Sequence, residues 1–544
     1  MATTPSVPHP SRRTVLRSGI AAVGAAAFTS AFPSAAASPA VFAHGVASGD
    51  PLPDAVILWT RVTPTPEATP GSGVGPDLVV TWEVSRSGRF DEIVSSGTVR
   101  AHAVSDHTVK VDVRGLDPDS AYFYRFRAAG AVSPIGRTST APAPDAPVGR
   151  LRFGVVSCSD WEGGFFTSYR HLAARDDLDA VIHLGDYLYE YAAGEFPVAG
   201  ARAVRSHRPA HEIVSLADYR TRHAQYKTDP DLQALHARVP WIVVWDDHES
   251  ANNAWAGGAE NHDPRLEGDW RRRKAASVQA YDEWMPVRMN AGRLYRRLRY
   301  GRLAELSMLD LRTYRSEQIP GAGRAVGDPG RTMTGREQMK WLTAGLTSSP
   351  ARWQLIGNSV MIAPVLLPPL DRRTTSALTE LLGVPSEGLP YNTDQWDGYT
   401  ADRRRLLDAI TTAGLRNVVF LTGDIHTSWA ADIPVDAARY PDAGTVATEF
   451  VVPSVTSANI DELLGVPPRT VSPALEATVT ATNRHVRFVE LDSHGYGVLE
   501  VTPDATQMDW FFIGDRADPN SIARRVAGYR VADGTAKVEP AHRL

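Results

Sequence analysis

A short apolar run that ends in glycine and aspartate constrains this chain more than any other stretch. Residues 180–184, apolar apart from His183, lead into Gly185 and Asp186, and Tyr189 follows three positions later. The run predicts a strand buried on both faces, and the turn after it lets a carboxylate leave the strand tip. A carboxylate and a phenolate together suit a hard, highly charged metal such as Fe³⁺. An aspartate turn beside a packed tyrosine is the alternative interpretation of this run alone.

Three further apolar runs end in side chains that can bind metals. Residues 153–156 lead into Cys158, residues 241–245 into Asp246, Asp247, His248 and Glu249, and residues 418–422 into Asp424 and His426. Because side chains alternate along an extended chain, Asp424 and His426 are expected to point the same way. Four buried strands with such ends indicate one shared metal site at the strand tips.

These motifs, in this order, resemble a known family of phosphoesterases. Gly-Asp-x-x-Tyr, then Asp-His-Glu, then Gly-Asp-x-His is similar to the motif order of the calcineurin-like and purple acid phosphatase metallophosphoesterases. The variant with Ser-Cys, Gly-Asp-Tyr-x-Tyr-Glu and Trp-Asp-Asp-His-Glu resembles the alkaline phosphatase D (PhoD) family. A close branch of that family comprises secreted actinobacterial enzymes described as metal-dependent phospholipases D. The resemblance covers nearly the whole chain from about Pro39.

The resemblance implies both a fold and an activity. The expected fold is α/β, a four-layer calcineurin-like core of two packed mixed sheets flanked by helices, preceded by a fibronectin-III-like β-sandwich. The expected activity is that of a secreted metal-dependent phosphoric ester hydrolase, acting on phosphomonoesters or phosphodiesters with a metal-held hydroxide. A phospholipase D that releases phospholipid head groups is the alternative, and a non-catalytic extracellular binding protein is a more remote one. A cysteine hydrolase built on Cys158 would leave the acidic residues unexplained.

The resemblance also implies a role for each residue at the strand tips. Fe³⁺ would be held by Cys158, Asp186, Tyr189 and His426. Asp186 would bridge to a second site completed by Asp247 and Asp424, where purple acid phosphatases have asparagine and histidine. Anionic oxygen donors alone favour one or two Ca²⁺ ions there.

Four other residues near these motifs receive weaker assignments. His248 matches the family histidine that meets the phosphate, and it is predicted to protonate the leaving oxygen. Asn358, Asn252 and Glu249 are tentative ligands of a metal or of the substrate, with bracing of the ligands as the other interpretation of Glu249.

The chain is predicted to divide into three parts. Residues 1–37 place Arg12 and Arg13 before an apolar, alanine-rich stretch and a small-residue cleavage site, which predicts a signal for the twin-arginine (Tat) export machinery and a secreted protein. Residues 38–146 are predicted to form the β-sandwich, and residues 147–544 the catalytic domain. No later stretch is long and apolar enough to span a membrane.

The amino-acid composition limits the kinds of partner that this chain can bind. Of the 544 residues 43% are hydrophobic and 22% charged, as in ordinary globular proteins. A formal net charge of −5 argues against nucleic-acid binding through phosphate contacts. The single cysteine cannot form an internal disulfide, and its place at a strand tip favours a metal thiolate over an inert thiol. We expect a small phosphorylated substrate or a phospholipid head group, and the oligomeric state stays open.

In the rest of the chain, predicted strands alternate with predicted helices, which indicates a layered α/β core. The predicted strands are residues 55–61, 78–84, 108–113, 303–311, 353–358, 449–452 and 497–501. The predicted helices are residues 164–174, 218–227, 335–346 and 402–413. The basic tract 271–274 is expected on a solvated helix face. The polar, aromatic loop 392–399 either roofs the substrate cleft or packs on a helix.

Overall fold

The computed structural model describes residues 40–196, 203–319, 324–366, 390 and 392–542. The predicted export signal at residues 1–37 lies outside these ranges. The fold is mixed α/β, with sheets of ten, seven and five strands. None of the helices in the described ranges is long and apolar enough to cross a membrane.

The first eight strands form two facing sheets near the N-terminus. They are β1 (Val46–Leu52), β2 (Ala55–Arg61), β3 (Leu78–Ser85), β4 (Ile93–Ala101), β5 (Thr108–Arg114), β6 (Ala121–Ala128), β7 (Ala131–Val132) and β8 (Gly136–Ser139). The five-stranded sheet has the order β4-β3-β6-β7, and β8 pairs with β6. Alternating apolar residues, such as Tyr122 and Tyr124 on β6, pack against Val56 and Leu58 on β2. The predicted strands in this region are confirmed.

The other N-terminal strands continue into a ten-stranded sheet with the order β22-β21-β20-β19-β9-β10-β11-β1-β2-β5. Its additional members are β9 (Leu151–Val156), β10 (Ala180–His183), β11 (Trp241–Val243), β19 (Gly495–Val501), β20 (Ala505–Ile513), β21 (Ala523–Ala532) and β22 (Val538–Pro540). The junction is the parallel pairing of Gly49 with Trp241. Only glycine fits there, because a Cβ at Gly49 would lie 1.9 Å from the Pro286 carbonyl oxygen. The sandwich predicted for residues 38–146 therefore shares a sheet with the rest of the chain. Its fibronectin-III-like character and its boundary stay predictions.

A seven-stranded mixed sheet packs against the ten-stranded one. Its order is β12-β13-β14-β15-β17-β16-β18. The strands are β12 (Arg296–Tyr300), β13 (Ala304–Met308), β14 (Trp353–Asn358), β15 (Val418–Thr422), β16 (Ser428–Pro434), β17 (Thr445–Val451) and β18 (Val486–Glu490). Phe153 and Val155 of one sheet share a core with Leu355 and Leu421 of the other. Two packed mixed sheets are therefore present, while the calcineurin-like name for this core stays a prediction.

The helices lie around the sheets. They are α1 (Thr167–Ala173), α2 (Leu216–Tyr226), α3 (Pro230–Arg238), α4 (Trp270–Trp284), α5 (Arg336–Ser348), α6 (Thr400–Thr412), α7 (Ile460–Leu463) and α8 (Ser472–Thr482). The four predicted helices are present, with bounds shifted by a few residues. α1 begins later than predicted because the Phe165 backbone N–H donates to the Arg516 carbonyl instead of entering the helix.

The prediction for the basic tract 271–274 is wrong at one position. Arg271 is exposed on α4, but Arg273 is buried. Its guanidinium pairs with Glu212 at 2.6 Å and with Glu267 at 2.7 Å, and it donates to the Tyr219 hydroxyl at 3.1 Å. A buried arginine is stable here because carboxylates satisfy its donors.

Candidate metal centre

The predicted ligands come together because the strands that carry them end at one edge. β9, β10 and β11 are parallel neighbours in one sheet, and β14 and β15 are parallel neighbours in the other. Since parallel strands end on the same side, the turns after β9, β10, β11 and β15 bring their side chains to one place. Those turns carry Cys158, Asp186, Asp247, Asp424 and His426.

The turns hold these side chains with unusual backbone angles. Cys158, Asp186, Asp424 and His426 all have φ between 54° and 64°, in the left-handed region that non-glycine residues rarely adopt. Gly185 is required where two turns cross, because a Cβ there would lie 2.5 Å from the Cβ of Asp246. Backbone strain of about 1–3 kcal/mol per residue is typical of functional sites.

The first group joins sulfur, phenol, carboxylate and imidazole. The Cys158 thiol lies 3.4 Å from Asp186 Oδ2, and the Tyr189 hydroxyl lies 3.3 Å from the same oxygen and 3.2 Å from His426 Nε2. His426 Nδ1 is 2.7 Å from the Ala458 carbonyl, to which it donates. That bond leaves the lone pair of Nε2 directed into the group, as a metal ligand requires.

The chemistry of the first group fits a bound cation. Asp186 Oδ1 is buried and finds no hydrogen-bond partner among the described residues. Burial and then nearby carboxylates raise the pKa of Cys158 well above its usual range, and burial also raises the pKa of Asp186 and Tyr189. Ionising them all in a dry site is costly without a positive charge among them. A metal ion held by these atoms would supply that charge.

The second group consists of carboxylates around a buried arginine. Asp246, Asp247 and Asp424 each offer an oxygen, and these atoms lie within 4.8 Å of one another. Arg312 donates to Asp246 Oδ1 at 2.6 Å, to Asp394 Oδ2 at 2.8 Å and to Asp424 Oδ1 at 2.6 Å. The guanidinium also lies 3.6 Å from Asp247 Oδ2. Part of the negative charge of this group is thus already balanced.

The ligand oxygens of the second group keep capacity for a cation. The Gln395 amide donates to Asp424 Oδ2. The backbone N–H groups of His248 and Asn253 donate to the two oxygens of Asp247, at 3.0 and 2.6 Å. A carboxylate oxygen has two lone pairs, so one donor on each still leaves a position for a metal. The all-oxygen donor set fits a hard divalent ion such as Ca²⁺.

His248 lies between the two groups. Its ring stacks on Tyr189 with centroids 4.2 Å apart, and its Nδ1 lies 2.7 Å from Glu190 Oε2. Burial lowers the pKa of His248, but Asp247, Glu190 and Asp186 together raise it well above the usual value. Although burial opposes it, His248 also lowers the pKa of Glu190 to about 2. Glu190 therefore fixes Nδ1, and one imidazole nitrogen lies within 4.8 Å of a carboxylate oxygen of Asp186 and of Asp247.

The three tentative residues all make hydrogen bonds close to the candidate ligands, and their assignment as ligands stays a prediction. The Glu249 carboxylate accepts the backbone N–H groups of Asp186 at 3.2 Å, Tyr187 at 2.7 Å and Asp246 at 2.8 Å, so it braces two turns. The Asn358 amide accepts from Trp396 Nε1 at 2.9 Å and donates to Thr422 at 3.1 Å. Asn252 gives its backbone N–H to Glu190 Oε1 at 2.6 Å. These hydrogen bonds favour bracing as the role of Glu249 and Asn358. In the polar loop 392–399, Trp396 is fully buried, so packing fits this residue better than a place in the roof of the substrate cleft.

Sequence reasoning missed Arg312, Glu190 and Gln395. Arg312 follows β13, which runs parallel to β14, so the rule that located the aspartates applies to it as well. Glu190 comes directly after Tyr189 in the quoted motif. Gln395 lies in the polar loop 392–399, where no pattern distinguishes it from its neighbours.

Comparison with known proteins decides the family. The profile of the PhoD-like phosphatase family matches residues 153–510, and that of the PhoD-like phosphatase N-terminal domain matches residues 26–142. The chain belongs to the PhoD-like phosphatase family. It is a phosphoric ester hydrolase, as the motifs predicted.

Two relatives show how far the similarity extends. The chain is 38% identical over 489 residues to alkaline phosphatase D of Bacillus subtilis (strain 168), covering 86% of this chain and 77% of the relative. It is also similar to a solved structure titled "Structure of PhoD", with a TM-score of 0.81, 34% identity and 93% of each chain covered. The fold and the family thus agree along nearly the whole length.

Proposed function

We propose that this phosphatase is a metal-dependent enzyme that holds Fe³⁺ in the first group and one or two Ca²⁺ ions in the second. The observation that carries the proposal is the Asp186 carboxylate, whose Oδ1 is buried without a partner among the described residues and which belongs to one candidate group with Cys158 and His426 and to another with Asp247 and His248. A thiolate, a phenolate and an imidazole suit iron, and carboxylates alone suit calcium.

The residues divide the work between binding and proton transfer. When bound, such a pair of ions supplies a Lewis acid and an activated water for displacement at phosphorus. His248, oriented by its contact with Glu190, gives its Nε2 proton to the leaving oxygen. Arg312 fixes Asp246 and Asp424 relative to each other and so sets the spacing of the second group.

The remaining parts of the proposal concern location and substrate. The twin-arginine motif supports export and secretion, and the family match ending at residue 142 supports the boundary near residue 146. A small phosphorylated substrate follows from the family. Release of a phospholipid head group is the alternative activity, and an assay on phosphatidylcholine tests it.

Stereochemistry tests the proposed reaction. With direct attack of water on phosphorus, a substrate chiral at phosphorus gives product of inverted configuration. A covalent Cys158 intermediate requires two displacements and gives net retention, which would overturn the proposal. Parallel assays on nitrophenyl phosphate, its bis-ester and phosphatidylcholine determine which ester class is preferred. A Cys158→Ser variant that keeps full activity with no iron would equally contradict the assignment of the first group.

A further inference from the structure

An apolar cavity lies beside the metal centre. Its volume is about 150 Å³. Its walls among the described residues include Ala363, Ile425, Trp429, Leu475, Val479 and Leu491. They come from β16, α8 and the turns around them, and not from the strands that end in Cys158 and Asp186.

The cavity shares residues with the candidate metal centre. Ile425 lies between Asp424 and His426 in the same turn. Gln395 lines the cavity and donates to Asp424 Oδ2. Ile460, another wall residue, lies two positions after Ala458, whose carbonyl accepts from His426. The cavity and the candidate ligands are therefore neighbours, joined by the turn at Ile425 and the amide of Gln395.

The walls leave apolar surface uncovered. Leu475 is 39% exposed, and Val479 and Ile425 are partly exposed. Of the residues of α8, only Ser472 is buried. The acidic wall residue Asp397 is paired with Arg403, so it does not bring an unbalanced charge. Apolar surface of this kind next to convergent polar groups is typical of a ligand site.

We infer that this cavity binds the apolar organic group of the phosphoester substrate while the phosphate lies among the metal ligands. A cavity of about 150 Å³ lined by aliphatic side chains is large enough for a benzene ring. The group is accordingly phenyl-sized, or a short alkyl chain of similar volume. This inference rests on the proposed function and adds to it a class of substrate.

Two esters with similar leaving groups test the inference. Hexyl phosphate and ethyl phosphate release alcohols of similar acidity, so a difference in kcat/KM reports binding of the chain. We expect hexyl phosphate to be favoured by at least about 10-fold, since one methylene in a fitted apolar pocket is worth roughly 10–200-fold. Val479→Phe fills the cavity and should remove the preference by lowering kcat/KM for hexyl phosphate. Leu475→Asp, at a more exposed position, should do the same by placing a charge in the wall.

The matched control is Ala477→Asp, an exposed position of the same helix that does not line the cavity. It should leave both rates and their ratio unchanged. Equal rates for the two esters, or a preference that survives both cavity variants, would overturn the inference while leaving the proposed function intact.

A binding measurement distinguishes failure of this inference from failure of the proposed function, because it does not require turnover. Hexylphosphonate and ethylphosphonate are not hydrolysed, and their affinities can be measured by calorimetry on the purified protein. Tighter binding of hexylphosphonate that is lost in Val479→Phe supports the cavity even if neither ester is turned over. Equal affinities would refute it.

Discussion

The two groups of candidate ligands place negative charge in the protein interior in different ways. In the first group, Tyr189 accepts from the Ser457 hydroxyl at 2.6 Å and His426 donates to the Ala458 carbonyl at 2.7 Å, and both of these partners are neutral. In the second group, the Arg312 guanidinium contacts Asp246 and Asp424 directly. Among the described residues, the side-chain hydrogen bonds of the first group run between its own members and to neutral groups, whereas the second group contains a guanidinium.

This difference predicts how firmly each group holds a metal. The ionised first group has its charge balanced only when a cation is bound, so folding and metal binding are strongly coupled there. In the second group the arginine already compensates part of the charge, so an ion adds less stability and exchanges more easily. The following predictions test this contrast, beginning with the largest effect.

Asp186→Asn should have the largest effect, because Asp186 is the residue that we propose bridges the two groups. The activity should fall by at least about 10⁴-fold, since the catalytic acceleration of 10⁶-fold or more depends on ions that share this ligand. Steady-state rates and metal content of the purified variant measure it. Asp177→Asn, which removes a half-buried carboxylate paired with Arg152 and Arg175, is the control and should keep its activity. Substantial activity in Asp186→Asn would show that the two groups do not share a ligand.

His248→Ala should lower kcat by roughly 10²–10⁴-fold on alkyl esters if His248 is a general acid. The loss should shrink on nitrophenyl esters, whose leaving group needs no proton, and both metals should remain bound. A variant equally impaired with both ester types would make His248 a phosphate-binding residue instead. Glu190→Gln should give a smaller loss of the same pattern, because it removes the partner of Nδ1.

Arg312→Gln should impair the second group of ligands and leave the first group intact. We expect roughly 10–100-fold lower activity, the usual cost of losing a residue that positions metal ligands. The variant should also lose stability, because Asp246 is left buried and unpaired, and added Ca²⁺ should restore part of that stability. The iron content should not change.

Arg315→Gln is the matched control for this variant. Arg315 is equally buried and pairs with Asp394 at 2.7 Å. The structure shows no contact of Arg315 with a candidate metal ligand among the described residues. Its loss should destabilise the protein without making its stability depend on calcium. An identical calcium response in both variants would contradict the role given to Arg312.

Glu449→Gln should have the smallest effect on activity and a distinct effect on stability. Glu449 is buried on β17, beside β15, and among the described residues its carboxylate accepts from neutral donors, the Thr422 hydroxyl at 2.6 Å and the backbone N–H groups of Ile362 and Ala363. Burial raises the pKa of Glu449 from 4.5 to about 7. Between these pH values the folded protein still holds the Glu449 proton, whereas the unfolded chain has released it. The free energy of unfolding therefore falls as the pH rises from 4.5 to about 7.

The size of this pH effect is on the order of 3 kcal/mol, from 1.36 kcal/mol per pKa unit. Glu449→Gln should remove that part of the decline, as urea unfolding at a series of pH values would show. An unchanged pH dependence would mean that Glu449 stays ionised in the folded protein.

The sequence predicted the strand tips of the site because each combines a buried apolar run with a ligand-bearing turn. The tips at Asp186 and Asp424 are of this kind. The same strand rule places Arg312 at this edge, but its role as a counter-charge depends on carboxylates from both sheets, which no local pattern shows. The N-terminal strands join the ten-stranded sheet through the pairing of Gly49 with Trp241, two residues that are far apart in the sequence. Local patterns thus predict elements and their ends, whereas counter-charges and sheet junctions depend on long-range packing.

The most direct test of the account is the metal content of the purified enzyme before and after dialysis against a calcium chelator. The account predicts that iron stays bound in stoichiometric amount, while calcium and activity are lost together and return together when calcium is restored. In Tyr189→Phe iron should fall, and in Asp424→Asn only calcium should. Loss of both metals on dialysis, or full activity in protein free of iron and calcium, would contradict the division of the site into two unlike halves.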